Sequence, residues 1–193
     1  MREIWFSSDP HRGHANILNF TDEAGIKIRG SRFTSIAEHD ECILQRHNEW
    51  VKPGDIWYCV GDLTFKNNEE HASWFSKLNG KKRLIVGNHD PIKEIAPHFE
   101  KVLAWRVFNN AGDVPFTVSH FPLHPLSFKG KFNVHGHTHQ HLVKIEGTVA
   151  ELPDPRYINI CMEHTDYYPV SYDELQDRMK RRLDPQDDFD LYA

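Results

Sequence analysis

Cysteine is scarce in this chain of 193 residues, which has only three: Cys42, Cys59 and Cys161. They are odd in number, lie far apart in the sequence and never form a CxxC pair. This spacing argues against a disulfide framework, and it favours reduced thiols in a cytoplasmic protein.

Long apolar runs are also missing. No segment approaches the ~20 consecutive apolar residues that a bilayer-spanning helix needs. The N terminus enters the apolar residues Ile4-Trp5-Phe6 directly, without the basic region and long hydrophobic segment of a signal peptide. The sequence therefore predicts neither a membrane partner nor a leader.

Positive charge is in deficit, since 23 Lys and Arg residues face 28 Asp and Glu residues for a formal net charge of −5. An overall negative field argues against a non-specific nucleic-acid binder. Only residues 178–182 and the pair Lys129 and Lys131 are noticeably basic, whereas a nuclease needs a basic groove.

The rest of the composition is ordinary for a globular protein, with 39% hydrophobic and 26% charged residues. A chain of this length can bury the core of one compact domain. The sequence has no internal repeat and no interdomain linker. We predict a single domain over residues 1–183 and an acidic, flexible tail over residues 184–193.

Five strand-like apolar runs each end abruptly in residue types that bind metal ions. The runs cover residues 2–7, 55–60, 83–86, 114–119 and 131–134. The third run leads into Gly87-Asn88-His89-Asp90, and Pro91 prevents its continuation as a strand. Histidine is abundant, with 14 in the chain, and several of them fall between residues 135 and 141.

Helical signals separate the strands of the first half, whereas the second half places strand after strand. Two capping boxes, Ser35 with Glu38 and Ser171 with Glu174, open helices. Further predictions are helices over 15–20 and 69–78, strands over 102–108, 142–145 and 157–160, a surface loop over 21–34, and core positions for Trp5, Trp50, Trp57 and Trp74. This order predicts an α/β fold, a four-layer αββα sandwich of two packed mixed β-sheets flanked by helices.

In open α/β sheets, sites gather outside the carboxyl ends of the strands, which is where all five polar clusters lie. The clusters supply carboxylates, one amide oxygen and imidazoles: Asp9, His11, Asp62, Asn88, His120, His137 and His139. Such donors suit Zn, Mn, Fe or Ni without any thiolate. Seven ligands exceed one tetrahedral site, but they fit two ions if a carboxylate bridges them.

At these residues the sequence resembles the calcineurin-like metallophosphoesterase family, in particular its small stand-alone bacterial and phage members. The matching motifs, in the family's order, are Asp9-x-His11, Gly61-Asp62, Gly87-Asn88-His89-Asp90, Ser119-His120 and Gly136-His137-x-His139. They span residues 4–139. Protein serine/threonine phosphatases of this superfamily carry a second Asp where Phe65 stands, and a Glu where Asp90 stands, so we disfavour a phosphoprotein phosphatase.

The resemblance implies two divalent transition-metal ions, with Mn favoured and Fe, Zn or Ni as alternatives. It assigns one ion to Asp9, His11, Asp62 and His139. It assigns the other to Asp62, Asn88, His120 and His137, with Asp62 as the bridge. The implied catalytic residues are His89, Asp62 and Asn88: a metal-bridging hydroxide attacks phosphorus, and His89 protonates the leaving alkoxide as general acid.

Several nearby residues keep two interpretations. Asp90 could orient His89 or cap the following turn, and His14 could touch substrate or be structural. Arg12, Arg29 and Arg32 could contact phosphate, although loop arginines are usually only solvated. His124 could line the pocket. We expect His135 and His141 to be non-ligands, and surface or helix-packing roles for His39, His47, His71, His98 and His164.

The leading hypothesis is a hydrolase that cleaves small phosphodiesters or nucleotide-like phosphoesters, with diesters favoured over monoesters. A nuclease acting on single-stranded DNA or RNA is one alternative, and the shortage of basic residues disfavours it. A non-catalytic metal-binding interaction module is the other. The complete ligand set argues against that module, because degenerate members of such folds lose ligands.

Overall fold

The computed structural model describes residues 2–64, 70–147 and 152–184. Its strands are β1 Ile4–Ser7, β2 Ile56–Cys59, β3 Lys81–Ile85, β4 Lys101–Leu103, β5 Trp105–Phe108, β6 Phe116–Ser119, β7 Phe132–His135, β8 Tyr157–Asn159 and β9 Val170–Ser171. Its α-helices are α1 Ile36–Trp50, α2 Glu70–Lys77, α3 Ile92–Ile95 and α4 Tyr172–Leu183. Short 3₁₀ helices cover Ala15–Asn19, Ala96–His98 and Met162–His164.

The strands form two mixed sheets. The first has five strands in the order β4-β3-β2-β1-β9, all parallel except the short antiparallel edge strand β9. The second has four strands in the order β5-β6-β7-β8, of which only the β5–β6 pair is antiparallel. The predicted α/β fold with two mixed sheets and flanking helices is confirmed.

Two apolar clusters hold these layers together, one on each face of the first sheet. Between the sheets, Phe6 and Tyr58 pack against Phe108 and Phe116, with ring centroids 5.4–6.3 Å apart for contacting pairs. On the outer face, side chains of α1, α2 and α3 pack on Trp57 and its neighbours. Alternating residues of β1, β2 and β3 therefore point into different clusters, as the pleat of a β-strand requires.

Both predicted capping boxes begin helices. The Ser35 hydroxyl accepts a hydrogen bond from the backbone N–H of Glu38 at 3.2 Å, and α1 follows. The Ser171 hydroxyl accepts from the N–H of Glu174 at 3.1 Å, and α4 follows. Each cap satisfies a backbone donor that has no partner inside the helix.

Three sequence predictions about elements differ from the structure. The single strand predicted over 102–108 is two strands, because a bend at Ala104 carries the chain from β4 in one sheet to β5 in the other. The strand predicted over 142–145 is absent from the described residues there, where Lys144 forms only one bridge, to Pro153. The surface loop predicted over 21–34 contains Arg29, whose side chain is completely buried.

The tryptophan predictions hold at three positions of four. Trp5, Trp57 and Trp74 are buried, but Trp50 is 51% exposed at the last residue of α1. His39 and His47 are residues of α1 whose side chains are buried, His39 against the Phe33 ring and His47 against the Trp57 ring. Both therefore have the helix-packing role that we predicted. Phe65 and residues 185–193, on which the phosphatase comparison and the tail prediction rest, lie outside the described residues.

Candidate metal centre

The predicted ligands lie just beyond the carboxyl ends of five strands, three in the first sheet and two in the second. Asp9 and His11 follow β1, Asp62 follows β2 and Asn88 follows β3. His120 follows β6, and His137 and His139 follow β7. Because β1, β2 and β3 are parallel to one another, and β6 is parallel to β7, the loops of each sheet leave at one edge.

One group of ligand atoms comes from Asp9, His11 and His139, whose candidate donor atoms all lie within 4.8 Å of one another. The Asp9 Oδ1 atom is 3.7 Å from His11 Nε2 and 4.0 Å from His139 Nε2. These separations exceed hydrogen-bond length, so the three atoms face a common centre without bonding each other.

A second group comes from Asp62, His120 and His137, again within 4.8 Å. The amide oxygen of Asn88 lies 3.0 Å from His120 Nε2, which places the predicted fourth donor beside this group. His120 Nδ1 donates to the Val60 carbonyl oxygen at 2.9 Å, so the ring presents Nε2 to the site.

Asp62 lies between the two groups. Its Oδ2 atom is 3.7 Å from His11 Nε2 in the first group and 3.5 Å from His120 Nε2 in the second. Its Oδ1 atom accepts a hydrogen bond from the backbone N–H of His89 at 2.8 Å. One carboxylate oxygen of Asp62 is thus hydrogen-bonded to the backbone, and the other faces both groups of ligand atoms.

The two carboxylate oxygens of Asp9 also have different surroundings. Its Oδ2 atom accepts from the hydroxyl of Ser8, the thiol of Cys161 and the N–H of His137. Among the described residues, Asp9 Oδ1 and both ring nitrogens of His11 are buried without a hydrogen-bond partner. A buried polar atom without a hydrogen-bond partner lowers the stability of the fold. A bound cation would give these atoms a partner, so these residues fit a metal ion.

The backbone of these loops adopts a conformation that residues with a Cβ atom rarely take. Five candidate ligands have positive φ angles: Asp9 at 58°, His11 at 49°, Asp62 at 50°, His137 at 68° and His139 at 49°. Such conformations cost energy and cluster at functional sites. The chain turns at His137 and His139, so β7 does not continue beyond His135.

Two glycines allow the loops to approach one another. A Cβ atom on Gly87 would collide with the Asp62 carboxylate, and one on Gly136 would collide with Ser8 Oγ and Asp9 Oδ2. Both motif glycines are therefore required by close packing against the two carboxylates.

Asp90 has a role that neither sequence interpretation included. Its carboxylate accepts backbone hydrogen bonds from Asp62 and Leu63 at 3.1 and 2.9 Å, and from Gly87 at 2.8 Å. It thereby ties the loop after β2 to the loop after β3. The Asp90 carboxylate therefore fixes the positions of the two loops that carry the candidate metal ligands Asp62 and Asn88.

Sequence reasoning missed Glu163 and misread Arg29. Glu163 Oε1 accepts from His139 Nδ1 at 3.0 Å and from Arg29 Nε at 2.8 Å. The guanidinium of Arg29 also donates to the carbonyl oxygens of Asp9 and Pro10, at 2.7 and 3.2 Å. Arg29 is therefore a structural cation behind the ligands, not a phosphate contact.

The electrostatics of the site favour cations. Burial opposes ionisation of Asp9, but His11, His120 and His139 outweigh it and hold the Asp9 pKa well below its ordinary value. Burial likewise opposes ionisation of Glu163, yet the Arg29 charge and the His139 hydrogen bond lower its pKa to about 2. Ionised carboxylates therefore surround the imidazoles at neutral pH.

His89 and Asn88 are exposed at the mouth of the site, and the His89 ring centroid lies 5.8 Å from that of His11. His14 is half-buried with its ring 5.8 Å from the His11 ring. Arg32 pairs with Asp166 on the surface.

The remaining candidates contact other groups. Arg12 lies over the Trp74 ring at 5.7 Å. The exposed His124 accepts from Leu126 N–H at 3.3 Å within its own loop. His135 is fully buried with Nδ1 on the Gly136 carbonyl oxygen, and His141 Nε2 is 3.0 Å from Gln140.

Comparison with known proteins identifies the family. The sequence model of the calcineurin-like phosphoesterases matches residues 2–193. The chain belongs to the calcineurin-like phosphoesterase family. Membership in this family and the two ligand groups make this protein a metal-dependent phosphoesterase with candidate sites for two divalent metals.

Relatives of this phosphoesterase occur in phages, archaea and bacteria. The gene 66 protein of Mycobacterium phage D29 is 26% identical, with 84% of this chain and 89% of the phage protein covered. An uncharacterized protein of Methanocaldococcus jannaschii is 29% identical, with 90% and 89% covered. The crystal structure of a protein of unknown function from Aquifex aeolicus has a TM-score of 0.68 at 25% identity, with 92% and 99% covered.

Within residues 2–64, 70–147 and 152–184, none of the helices of this phosphoesterase has the length and apolar character to cross a membrane.

Proposed function

We propose that this phosphoesterase hydrolyses small phosphodiesters or nucleotide-like phosphoesters at a dinuclear metal centre, with diesters preferred over monoesters. The observation that carries the proposal is the position of Asp62 Oδ2, 3.7 Å from His11 Nε2 and 3.5 Å from His120 Nε2. Two metal ions that share one ligand require a carboxylate between the two groups of ligand atoms, and Asp62 has that position.

The residues assigned to the first ion are Asp9, His11, Asp62 and His139, and those assigned to the second are Asp62, Asn88, His120 and His137. Two divalent ions, with Mn favoured, would neutralise phosphate oxygens and acidify the water that attacks phosphorus. Oxygen and imidazole donors suit such ions. The unpartnered Asp9 Oδ1 and His11 nitrogens support this assignment among the described residues.

His89 is assigned the role of general acid. It is exposed beside the ligand groups, and its backbone N–H is fixed by Asp62 Oδ1 at 2.8 Å. An imidazole can hold a proton and give it to a departing alkoxide, which is the work of a general acid. Asn88, beside it, would contribute its amide oxygen to the second ion.

The test compares leaving groups in the variant His89→Ala, loaded with Mn²⁺ and checked for two bound ions by elemental analysis. Loss of a general acid costs about 10²–10⁴-fold in rate when the leaving group needs protonation. We therefore expect a large loss for an alkyl phosphodiester and a much smaller loss for a p-nitrophenyl phosphodiester, because p-nitrophenolate leaves without a proton.

Equal losses for both esters would contradict the acid role of His89. A wild-type protein that binds one ion per chain would contradict the dinuclear centre. The control is His124→Ala, since His124 is an exposed histidine of another loop with no assigned role.

A further inference from the structure

Positive charge collects at the side of the molecule where both sheets end. Lys81 and Arg83 belong to β3, Lys101 begins β4, and Arg106 lies in β5. The strands β4 and β5 are edge strands of the first and the second sheet. Arg83 and Lys101 are register partners in the parallel pair of β3 and β4, so their side chains are neighbours on one face of the sheet. We call these four residues the cationic edge.

The cationic edge borders the apolar layer between the two sheets. Each of its residues shares a strand face with a side chain that packs in this layer, because alternate residues of a strand point the same way. The pairs are Lys81 and Arg83 with Ile85, Lys101 with Leu103, and Arg106 with Phe108. The four cations are therefore directed toward the place where the layer between the sheets reaches the edge of the molecule.

Aromatic rings hold the two arginines of the cationic edge in place. The guanidinium carbons of Arg83 and Arg106 each lie over the buried Tyr58 ring, 5.4 Å from its centroid. The two charges are therefore separated by no more than twice that distance. Arg83 Nη1 also donates to the Tyr58 hydroxyl at 2.6 Å, and the Arg106 guanidinium lies 4.9 Å from the Phe108 centroid. Such contacts with aromatic faces fix the positions of both cations.

The cationic edge has no protein anion to neutralise it. In the part of the chain that the structure describes, none of its four residues forms an ion pair. Other arginines do pair with carboxylates: Arg29 with Glu163, Arg32 and Arg46 with Asp166, Arg156 with Asp154, and Arg178 with Glu174. Like charges that are held close together without a counter-charge favour the binding of an anion.

We propose that the cationic edge binds a phosphate group, either as the free ion or as part of a larger molecule. A planar guanidinium group matches the paired oxygens of phosphate, and a lysine ammonium group adds positive charge with little demand on geometry. The Nε atoms of Arg83 and Arg106 are buried, whereas both side chains are partly exposed. The phosphate would therefore contact the exposed ends of these side chains.

This site is separate from the metal centre. The candidate metal ligands follow the carboxyl ends of their strands, whereas Arg83 lies in the middle of β3. The buried Ile85 is on the same strand face and lies between Arg83 and the loop that carries Asn88. The inference is therefore independent of the proposed function, and binding experiments without metal ions can test it.

The experiment titrates the full-length protein, from which metal ions and then the chelator have been removed, with inorganic phosphate in a calorimeter. We expect one site per chain, with an affinity that falls as NaCl is added, because salt screens exposed charges. A second titration uses a single-stranded oligonucleotide of thymidine, which presents its phosphates as diesters of a polymer. Binding of the free ion alone supports a site for small oxyanions, and binding of the oligonucleotide supports a site for a phosphodiester backbone.

Two variants assign the heat to the cationic edge. Arg106→Gln should weaken binding about tenfold, because charge-assisted hydrogen bonds to phosphate are lost. Lys101→Gln removes only an exposed charge and should weaken binding about threefold. The matched control is Arg181→Gln, which removes one charge from the exposed face of α4 and should bind both ligands as the wild type does. All three variants should bind Mn²⁺ with the wild-type affinity, which separates this site from the metal centre.

Absence of binding by both ligands to the wild-type protein would overturn the proposal. Equal affinities of the wild type, Arg106→Gln and Lys101→Gln would also overturn it, because the anion would then bind elsewhere. If Arg106→Gln does not fold, Lys101→Gln decides the question alone, since Lys101 is exposed and its substitution leaves the packed layer intact.

Discussion

Glu163 Oε1 lies 3.0 Å from the Nδ1 atom of His139, whose Nε2 atom faces Asp9 Oδ1 at 4.0 Å. The carboxylate fixes the ring orientation, because a hydrogen bond at Nδ1 leaves Nε2 as the nitrogen available to a metal. Arg29 holds the carboxylate from its other side at 2.8 Å. The buried Arg29–Glu163 ion pair therefore positions the candidate ligand His139, although neither residue of the pair is itself a candidate ligand.

Glu163→Gln should weaken binding of one of two Mn²⁺ ions by about 10–100-fold, as loss of such a supporting carboxylate commonly does. Calorimetric titration with Mn²⁺ measures each site. The substitution also leaves the buried Arg29 charge unpaired, so the double variant Arg29→Met with Glu163→Gln separates the stability effect from the metal effect.

The control for this prediction is Glu41→Gln on the exposed face of α1, which should bind Mn²⁺ as the wild type does. Two unchanged affinities in a folded Glu163→Gln protein would show that the ring of His139 does not need this carboxylate.

Gly136→Ala should damage both stability and metal binding. Its Cβ atom would collide with Ser8 Oγ and Asp9 Oδ2, and such overpacking costs about 1–3 kcal/mol. Gly54→Ala is the matched control, since a Cβ atom there meets nothing within 4 Å. Urea unfolding in chelator should show a lower midpoint for Gly136→Ala and an unchanged or slightly higher one for Gly54→Ala.

Asp90→Asn should be nearly as destabilising as Asp90→Ala. Both carboxylate oxygens accept backbone N–H groups, with Oδ2 serving Asp62 and Gly87 and Oδ1 serving Leu63. An amide would turn an NH₂ group toward at least one of these donors, at a cost of about 1–3 kcal/mol. Urea midpoints of the two variants measure this, and a wild-type midpoint for Asp90→Asn would contradict the tie between the loops.

The sequence was sufficient to predict the features encoded by short segments. Capping at Ser35 and Ser171 depends on residues three positions apart, and the candidate ligands follow strands at fixed short distances. A parallel sheet then brings the strand ends to one edge. Local pattern and topology together are enough to bring Asp62 near His11, which follows the neighbouring strand β1. The approach of His120 depends in addition on the packing of the two sheets, because β6 lies in the second sheet.

Features that depend on distant partners were missed. Arg29 and Glu163 are 134 residues apart, and neither lies in a periodic segment, so no pattern indicated their pairing. The run over 102–108 is continuous in sequence, but its partner strands lie in two sheets, which an apolar pattern does not encode. Trp50 has the spacing of the core face of α1, yet as the last residue of the helix it is half exposed.

The pH dependence of stability should reveal His47, a buried histidine away from the candidate ligands. Burial lowers the pKa of His47 from its ordinary value of 6.5 to about 4, with a smaller contribution from Lys82, although the Asn79 carbonyl oxygen opposes the shift. The unfolded chain therefore binds a proton here up to about pH 6.5, while the folded protein does so only near pH 4. Stability must rise as pH increases through this window and be lost as pH falls through it.

The shift corresponds to about 3 kcal/mol over the whole window. His47→Leu removes the titrating group but keeps an apolar side chain against Trp57, whose ring centroid lies 4.6 Å from that of His47. Urea unfolding at pH 5 and pH 7.5 in chelator should show a smaller gain in free energy of unfolding for His47→Leu than for the wild type. The candidate ligands are the same in both proteins, so their contributions cancel in the difference. Identical pH dependence in the two proteins would mean that His47 is protonated as readily in the folded state as in the unfolded one.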